Sequence, residues 1–180
     1  PPALSHSYLL TAAVGPISNL VYQTYERHYR SLLENGDYNW LDNVNMLDQV
    51  RVRTAQFLGA SLPQEVGFTT STSMAMNYLA TMWASHLRKQ GTPLRILSCQ
   101  EEFPSTSVPW LYHQFEVIQV PAAQLMTEVE RQRPALVVTS AVQFGTGYRQ
   151  DLKKLGEICR QNKCQLIVNA TQALGAFPID

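Results

Sequence analysis

Beyond Pro63 the chain repeats one pattern, a short apolar run followed by a longer mixed segment. Five such runs read as strands: residues 66–70, 94–98, 115–120, 135–139 and 165–169. Helical or mixed segments separate them. In residues 72–87, Met76, Leu79, Ala80, Trp83 and Leu87 fall on one stripe. Residues 151–162 open on Asp151, a good N-cap, and turn Leu152, Leu155, Ile158 and Cys159 inward. Residues 122–131 form a shorter helical segment. Strand, helix and strand in alternation require right-handed crossovers. The predicted fold class is therefore α/β, a mostly parallel sheet with crossover helices.

The first 60 residues read differently. Residues 8–16 are extended and end in the turn signal Gly15-Pro16. Ile17, Leu20, Val21, Tyr25, Tyr29 and Leu32 then recur at helical spacing until Asn35-Gly36. Residues 37–45 read as irregular, and a second helix carries Leu47, Val50, Thr54, Phe57 and Leu58 up to Gly59. The expected division is residues 1–60 as an arm and helices packed on the sheet, and 61–180 as the first part of a ligand-binding large domain.

Composition excludes several classes of function. Fourteen basic and fourteen acidic side chains cancel, so no basic stripe addresses nucleic acid. No run of about 18 apolar residues suits a membrane span. The first ten residues lack the basic region of a signal peptide. Cys99, Cys159 and Cys164 are an odd set without framework spacing, which implies reduced, buried thiols and a cytoplasmic setting. No second Cys pair or His cluster accompanies Cys159 and Cys164, so no metal site is expected. His6, His28, His86 and His113 stand at no triad spacing.

In a parallel sheet, ligands bind beyond the carboxyl ends of the strands. The first expected strand runs into Thr69, Thr70, Ser71, Thr72 and Ser73, directly before a helix. Such hydroxyls with free N–H groups suit either a simple cap or a phosphate. The second runs into Glu101, Glu102, Phe103 and Pro104, where the Phe ring can pack under a loop or stack on a ligand ring. Adjacent carboxylates on an exposed loop do not read as an acid–base pair. The fourth runs into Gln143, Phe144 and a Thr146 bracketed by Gly145 and Gly147. The fifth ends in Asn169, Thr171 and Gln172. A phosphorylated, ring-containing ligand in one crevice accounts for all four ends. No GxGxxG or GxxxxGK[ST] loop follows any strand, which argues against a nucleotide domain.

The stretches FTTSTSMAMNYLA, EEFPSTSVPW, SAVQFGTGYRQDL and VNATQALGAFPID occur in the order and spacing of class V aminotransferases. The chain thus resembles these fold-type-I enzymes, which depend on pyridoxal 5′-phosphate (PLP) and include cysteine desulfurases, kynureninases and an isopenicillin N epimerase-like branch. The resemblance covers nearly the whole chain, and the second and third stretches look most like the epimerase-like branch. It implies that Ser71, Thr72 and Ser73 cradle the phosphate and that Phe103 stacks on the pyridine. It implies that Gln172 lies near the ring hydroxyl, where Gln143 replaces an Asn whose position Phe144 takes. It places Trp110 near the cofactor entrance, though core packing accounts for that Trp equally well. Asn169 stands where the family has an Asp against the ring nitrogen.

The expected activity is transamination, epimerisation or side-chain cleavage of an amino acid, in a homodimer. The alternative is a non-catalytic protein of the same fold that binds a ligand or partner through the crevice, and Asn169 favours it. A carboxylate keeps the ring cationic and an amide does not. In the family the Schiff-base lysine lies past the stretch matching Asp180, as does the small domain, so the chain alone is expected to be inactive. Lys89, Lys153, Lys154 and Lys163 match no such position.

Overall fold

The computed structural model describes residue 4 and residues 7–179. His6 therefore lies outside the described residues. The chain divides into two compact units, residues 1–68 and 69–180.

In the first unit, α1 spans Asn19–Asn35 and α2 spans Trp40–Leu58. The Ser18 side chain caps α1 by accepting from Val21 N, and Gly36 at φ 58° ends it. Helix α2 begins inside the stretch expected to be irregular. Asp42 in its first turn favours the positive end of the helix dipole, so helix extends back through polar residues that carry little apolar period. Gly59 closes it in the left-handed conformation at φ 68°.

The second unit contains a four-stranded parallel sheet in the order β2-β1-β3-β4. Its elements in chain order are α3 (Thr72–Lys89), β1 (Arg95–Cys99), α4 (Pro104–Tyr112), β2 (Glu116–Val120), α5 (Leu125–Gln132), β3 (Leu136–Ser140), α6 (Leu152–Gln161) and β4 (Gln165–Asn169). Four of the five expected strands form, within a residue at each end. The fifth, residues 66–70, does not. It finds no ladder partner among the described residues, and a strand exists only through such pairing. Helix α4 was not expected. Pro104 at its first turn lacks only an N–H that a helix start leaves unpaired anyway, and the short helix tolerates Pro109.

Alternate strand residues serve two apolar layers. Ile96, Leu136 and Val138 pack with Met76, Ala80, Ala84 and Leu87 of α3 and Trp110 of α4. Leu97, Cys99 and Val137 pack with Leu125 and Val129 of α5 and Leu155, Ile158 and Cys159 of α6. All three thiols are buried and free. Helices on both faces explain why the inner strands β1 and β3 read as continuous apolar runs. The chain leaves β1 towards β2 and returns past it to β3. The order therefore reverses between β1 and β3, the topological switch point where the carboxyl edge opens a crevice.

Candidate ligand site

At this edge the end of β4 meets the start of α3. Thr72 Oγ1 and Thr171 Oγ1 lie 3.3 Å apart in one hydrogen bond. The Ser71 hydroxyl caps α3 by accepting from Met74 N at 3.2 Å. The N–H groups of Thr72 and Ser73 make no hydrogen bond among the described residues. They stand at the positive end of an 18-residue helix, a local environment that favours an anion.

Asn169, 8% exposed, ends β4 beside Ser140 of β3. Its Oδ1 accepts from Thr171 N at 3.0 Å and from the Thr171 hydroxyl at 2.6 Å. Only an oxygen can accept from that backbone N–H, so the amide nitrogen faces the other way. There Nδ2 donates to the buried Thr106 of α4 at 2.8 Å and retains a second N–H. Gln172 is half-buried, and its amide makes no hydrogen bond among the described residues.

Phe103 caps α4 and keeps 44% of its surface exposed. Its ring meets that of Phe144 edge to face, centroids 4.9 Å apart at 73°. Phe103 and Ser73 line one groove of about 460 Å³ with Asn77, Val108 and Tyr112. The sequence-assigned Ser73 and Phe103 thus share a cavity. Gln143 is buried, 1% exposed. Its Nε2 donates to Glu102 Oε1 at 2.9 Å and to Thr139 Oγ1 at 3.1 Å, while its Oε1 has no partner.

The two acids are not a solvated pair. Both are partly buried. Glu101 accepts from Ala122 N at 3.1 Å, and Glu102 takes up the donors at the end of β3. Sequence reasoning named Thr171 only as part of a polar strand end, set Glu102 aside as a loop carboxylate and missed Thr106, whose partner Asn169 is 63 residues away. The one legible sign was the density of donors at residues 139–143. Trp110 packs in the core edge to face with Phe115 and lines no crevice. The Arg149 guanidinium lies 3.9 Å over the Phe177 ring, beside a second cavity of about 340 Å³. Lys89, Lys153, Lys154 and Lys163 are all exposed, on α3, α6 and the turn before β4. No group of three or more metal-ligating side chains occurs among the described residues. No helix among them is long and apolar enough to cross a membrane.

The chain is 26% identical, over all of its length, to an uncharacterized aminotransferase, YcbU, of Bacillus subtilis. It is 28% identical, over 74% of its length, to the cysteine desulfurase IscS of Photobacterium profundum. It covers 49% and 35% of those two proteins, so it spans half or less of their length. Among solved structures, a NifS-like protein shares the fold with a TM-score of 0.74 at 19% identity, covering 88% of this chain and 47% of that one. DndA from Streptomyces lividans does so at 0.67 and 21% identity, covering 93% and 50%. The family profile described as aminotransferase class-V matches residues 7–180, and the chain belongs to that family.

Proposed function

We propose that the crevice binds pyridoxal 5′-phosphate in a class V aminotransferase-like protein that acts on an amino acid by transamination, epimerisation or side-chain cleavage. The observation that carries this reading is the meeting of the α3 start with the β4 end, Thr72 to Thr171 at 3.3 Å, directly beside Asn169. It supports one ligand spanning a phosphate position and a ring position.

The residues fit that group. The unpaired N–H groups of Thr72 and Ser73, with the hydroxyls of Ser71, Thr72 and Ser73, bind the phosphate. The exposed Phe103 ring stacks on the pyridine. The partnerless Gln143 Oε1 is an acceptor in want of a donor, which a ring hydroxyl supplies, and Gln172 offers a second polar contact there. The spare N–H of Asn169 donates to the ring nitrogen. When bound, the group supplies an electron sink for the substrate. Asn169 holds the ring nitrogen as a neutral acceptor rather than a cation, which weakens that sink. None of the four lysines is assigned to the carbonyl. The amino-acid substrate and a second copy of the chain are the proposed partners, in the cytoplasm.

The same amide favours a second reading, a non-catalytic protein of this fold that binds its ligand through the crevice. Titration with PLP, followed by absorbance, tests both against pyridoxal without phosphate. The expected result is affinity lower by about tenfold or more without the phosphate. Equal affinity for the two compounds overturns the site. Turnover of an amino acid by a longer chain in the presence of PLP supports the first reading, and binding without turnover by that longer chain supports the second.

A further inference from the structure

Glu102 lies three residues beyond the end of β1, yet its carboxylate is taken up by the end of β3. Oε1 accepts from Ser140 N at 2.6 Å, from Gln143 Nε2 at 2.9 Å and from Thr139 Oγ1 at 3.1 Å. Oε2 accepts from the Ser140 hydroxyl at 2.5 Å. One side chain thus bridges the two strand ends that flank the switch point. Hydrogen bonds to a carboxylate are among the stronger ones in proteins.

One neighbour of this clamp, Phe103, lines the groove. Phe103 follows Glu102 directly, and Phe144 follows Gln143 directly. Both rings are exposed, 44% and 58%, so packing alone does not fix their angle. They nevertheless meet edge to face at 4.9 Å. The residues just before each ring are tied together, Gln143 Nε2 donating to Glu102 Oε1 at 2.9 Å.

We propose that Glu102 is a positioning residue for ring recognition, clamping the loop after β1 to the turn after β3 so that Phe103 presents its face at a set angle. The clamp acts on the aromatic half of the site alone. The phosphate half, at the start of α3, draws on none of the clamp's donors. The inference rests on the reading of the crevice as a pyridoxal site.

The test uses the full chain with Glu102→Ala, Glu102→Gln and Phe103→Ala. Each is titrated with pyridoxal, with inorganic phosphate in competition against PLP, and with PLP followed by induced circular dichroism. In Glu102→Ala, pyridoxal affinity falls about three- to tenfold, the range that one aromatic contact carries. Phosphate affinity stays unchanged, and the induced band of bound PLP weakens. Phe103→Ala gives the same selective loss, and adding Glu102→Ala to it gives no more. A parallel loss of pyridoxal and phosphate affinity with a lower melting temperature overturns the proposal, since a purely structural role acts on both halves. Unchanged pyridoxal affinity overturns it too. If Glu102→Ala does not fold, Glu102→Gln keeps the side-chain shape, and the same readouts decide on it. A native chain that binds neither compound overturns the pyridoxal site and this inference together. A native chain that binds PLP, with Glu102 variants that bind it identically, overturns the inference alone.

Discussion

Cys99 ends β1 with none of its surface exposed, and burial pushes its thiol up from 9.0 to about 12. The hydrogen bond with Thr139 opposes that shift, while the charges of Glu102 and Glu101 add to it. The folded chain therefore keeps the proton between pH 9.0 and about 12 where the unfolded chain loses it. More protons bound in the folded state means that stability falls as pH rises through that window. Urea denaturation between pH 8 and 10.5 should show a decline that is shallower in Cys99→Ala, and equal slopes would contradict the burial argument. Disulfide reagents at pH 8 should leave Cys99 unmodified until the chain unfolds. Asn169 is the second residue whose role is set by its partners. Asn169→Ala leaves Thr171 N without its acceptor, and the expected loss is about 1–3 kcal/mol by equilibrium denaturation. Asn169→Asp keeps that acceptor, and its second oxygen accepts from the Thr106 hydroxyl, so stability stays near native. It also places a carboxylate at the proposed ring nitrogen, and PLP affinity should rise in the same titration.

Helix α3 depends on a local cap as well as on its apolar stripe. Ser71→Ala removes the bond to Met74 N and should cost about 1 kcal/mol of stability, measured by thermal melts. Arg133 ends α5 in the left-handed conformation at φ 46°, where a side chain is strained. Arg133→Gly should be neutral or stabilising by up to about 1 kcal/mol. The sequence makes such elements legible wherever one periodicity dominates. Residues 136–138 are apolar because helices cover both faces, and α6 shows Asp151 and its inward stripe at their true positions. Residues 66–70 show the limit of that logic. Their composition suits a strand, but strand formation depends on a partner that local sequence cannot reveal. Helix α4 fails for the opposite reason, since its two prolines and short hydroxyl side chains obscure a helix that Thr106, Pro109 and Trp110 hold against the sheet. Within the candidate site, the positions of Ser71, Phe103 and Asn169 at element ends were legible, because each borders a helix or strand. Glu102 was not, because its meaning comes from donors 37 to 41 residues away.

The molecule is uneven in how much it buries. In the second unit, Ile96, Leu97, Ser98, Cys99, Leu136, Val137, Val138 and Thr139 are wholly buried, and their strands pair on both sides. In the first unit, α1 has no buried residue, and α2 has only Ala55. Their apolar stripes, Leu20, Val21, Tyr25 and Tyr29 on α1 and Leu47, Val50 and Phe57 on α2, remain exposed. Resistance to local opening follows burial and pairing rather than helix length. Amide hydrogen exchange should therefore be slowest in β1 and β3 and approach the limit set by global unfolding. The edge strands β2 and β4, where Glu116 and Gln165 are exposed and one side of each ladder ends, should exchange at intermediate rates. The amides of α1 should exchange fastest despite its 17 residues and sound caps at both ends, because helices of that length are marginal without tertiary packing. Leu155→Ala supplies the internal control. Leu155 is fully buried between α6 and the sheet, so its truncation should lower stability by about 2–5 kcal/mol. If β1 and β3 report global opening, their slowest amides should accelerate together by the factor that the loss in stability dictates. Exchange in α1 as slow as in β3, or unequal acceleration of β1 and β3, would show that burial does not order the stability of this chain.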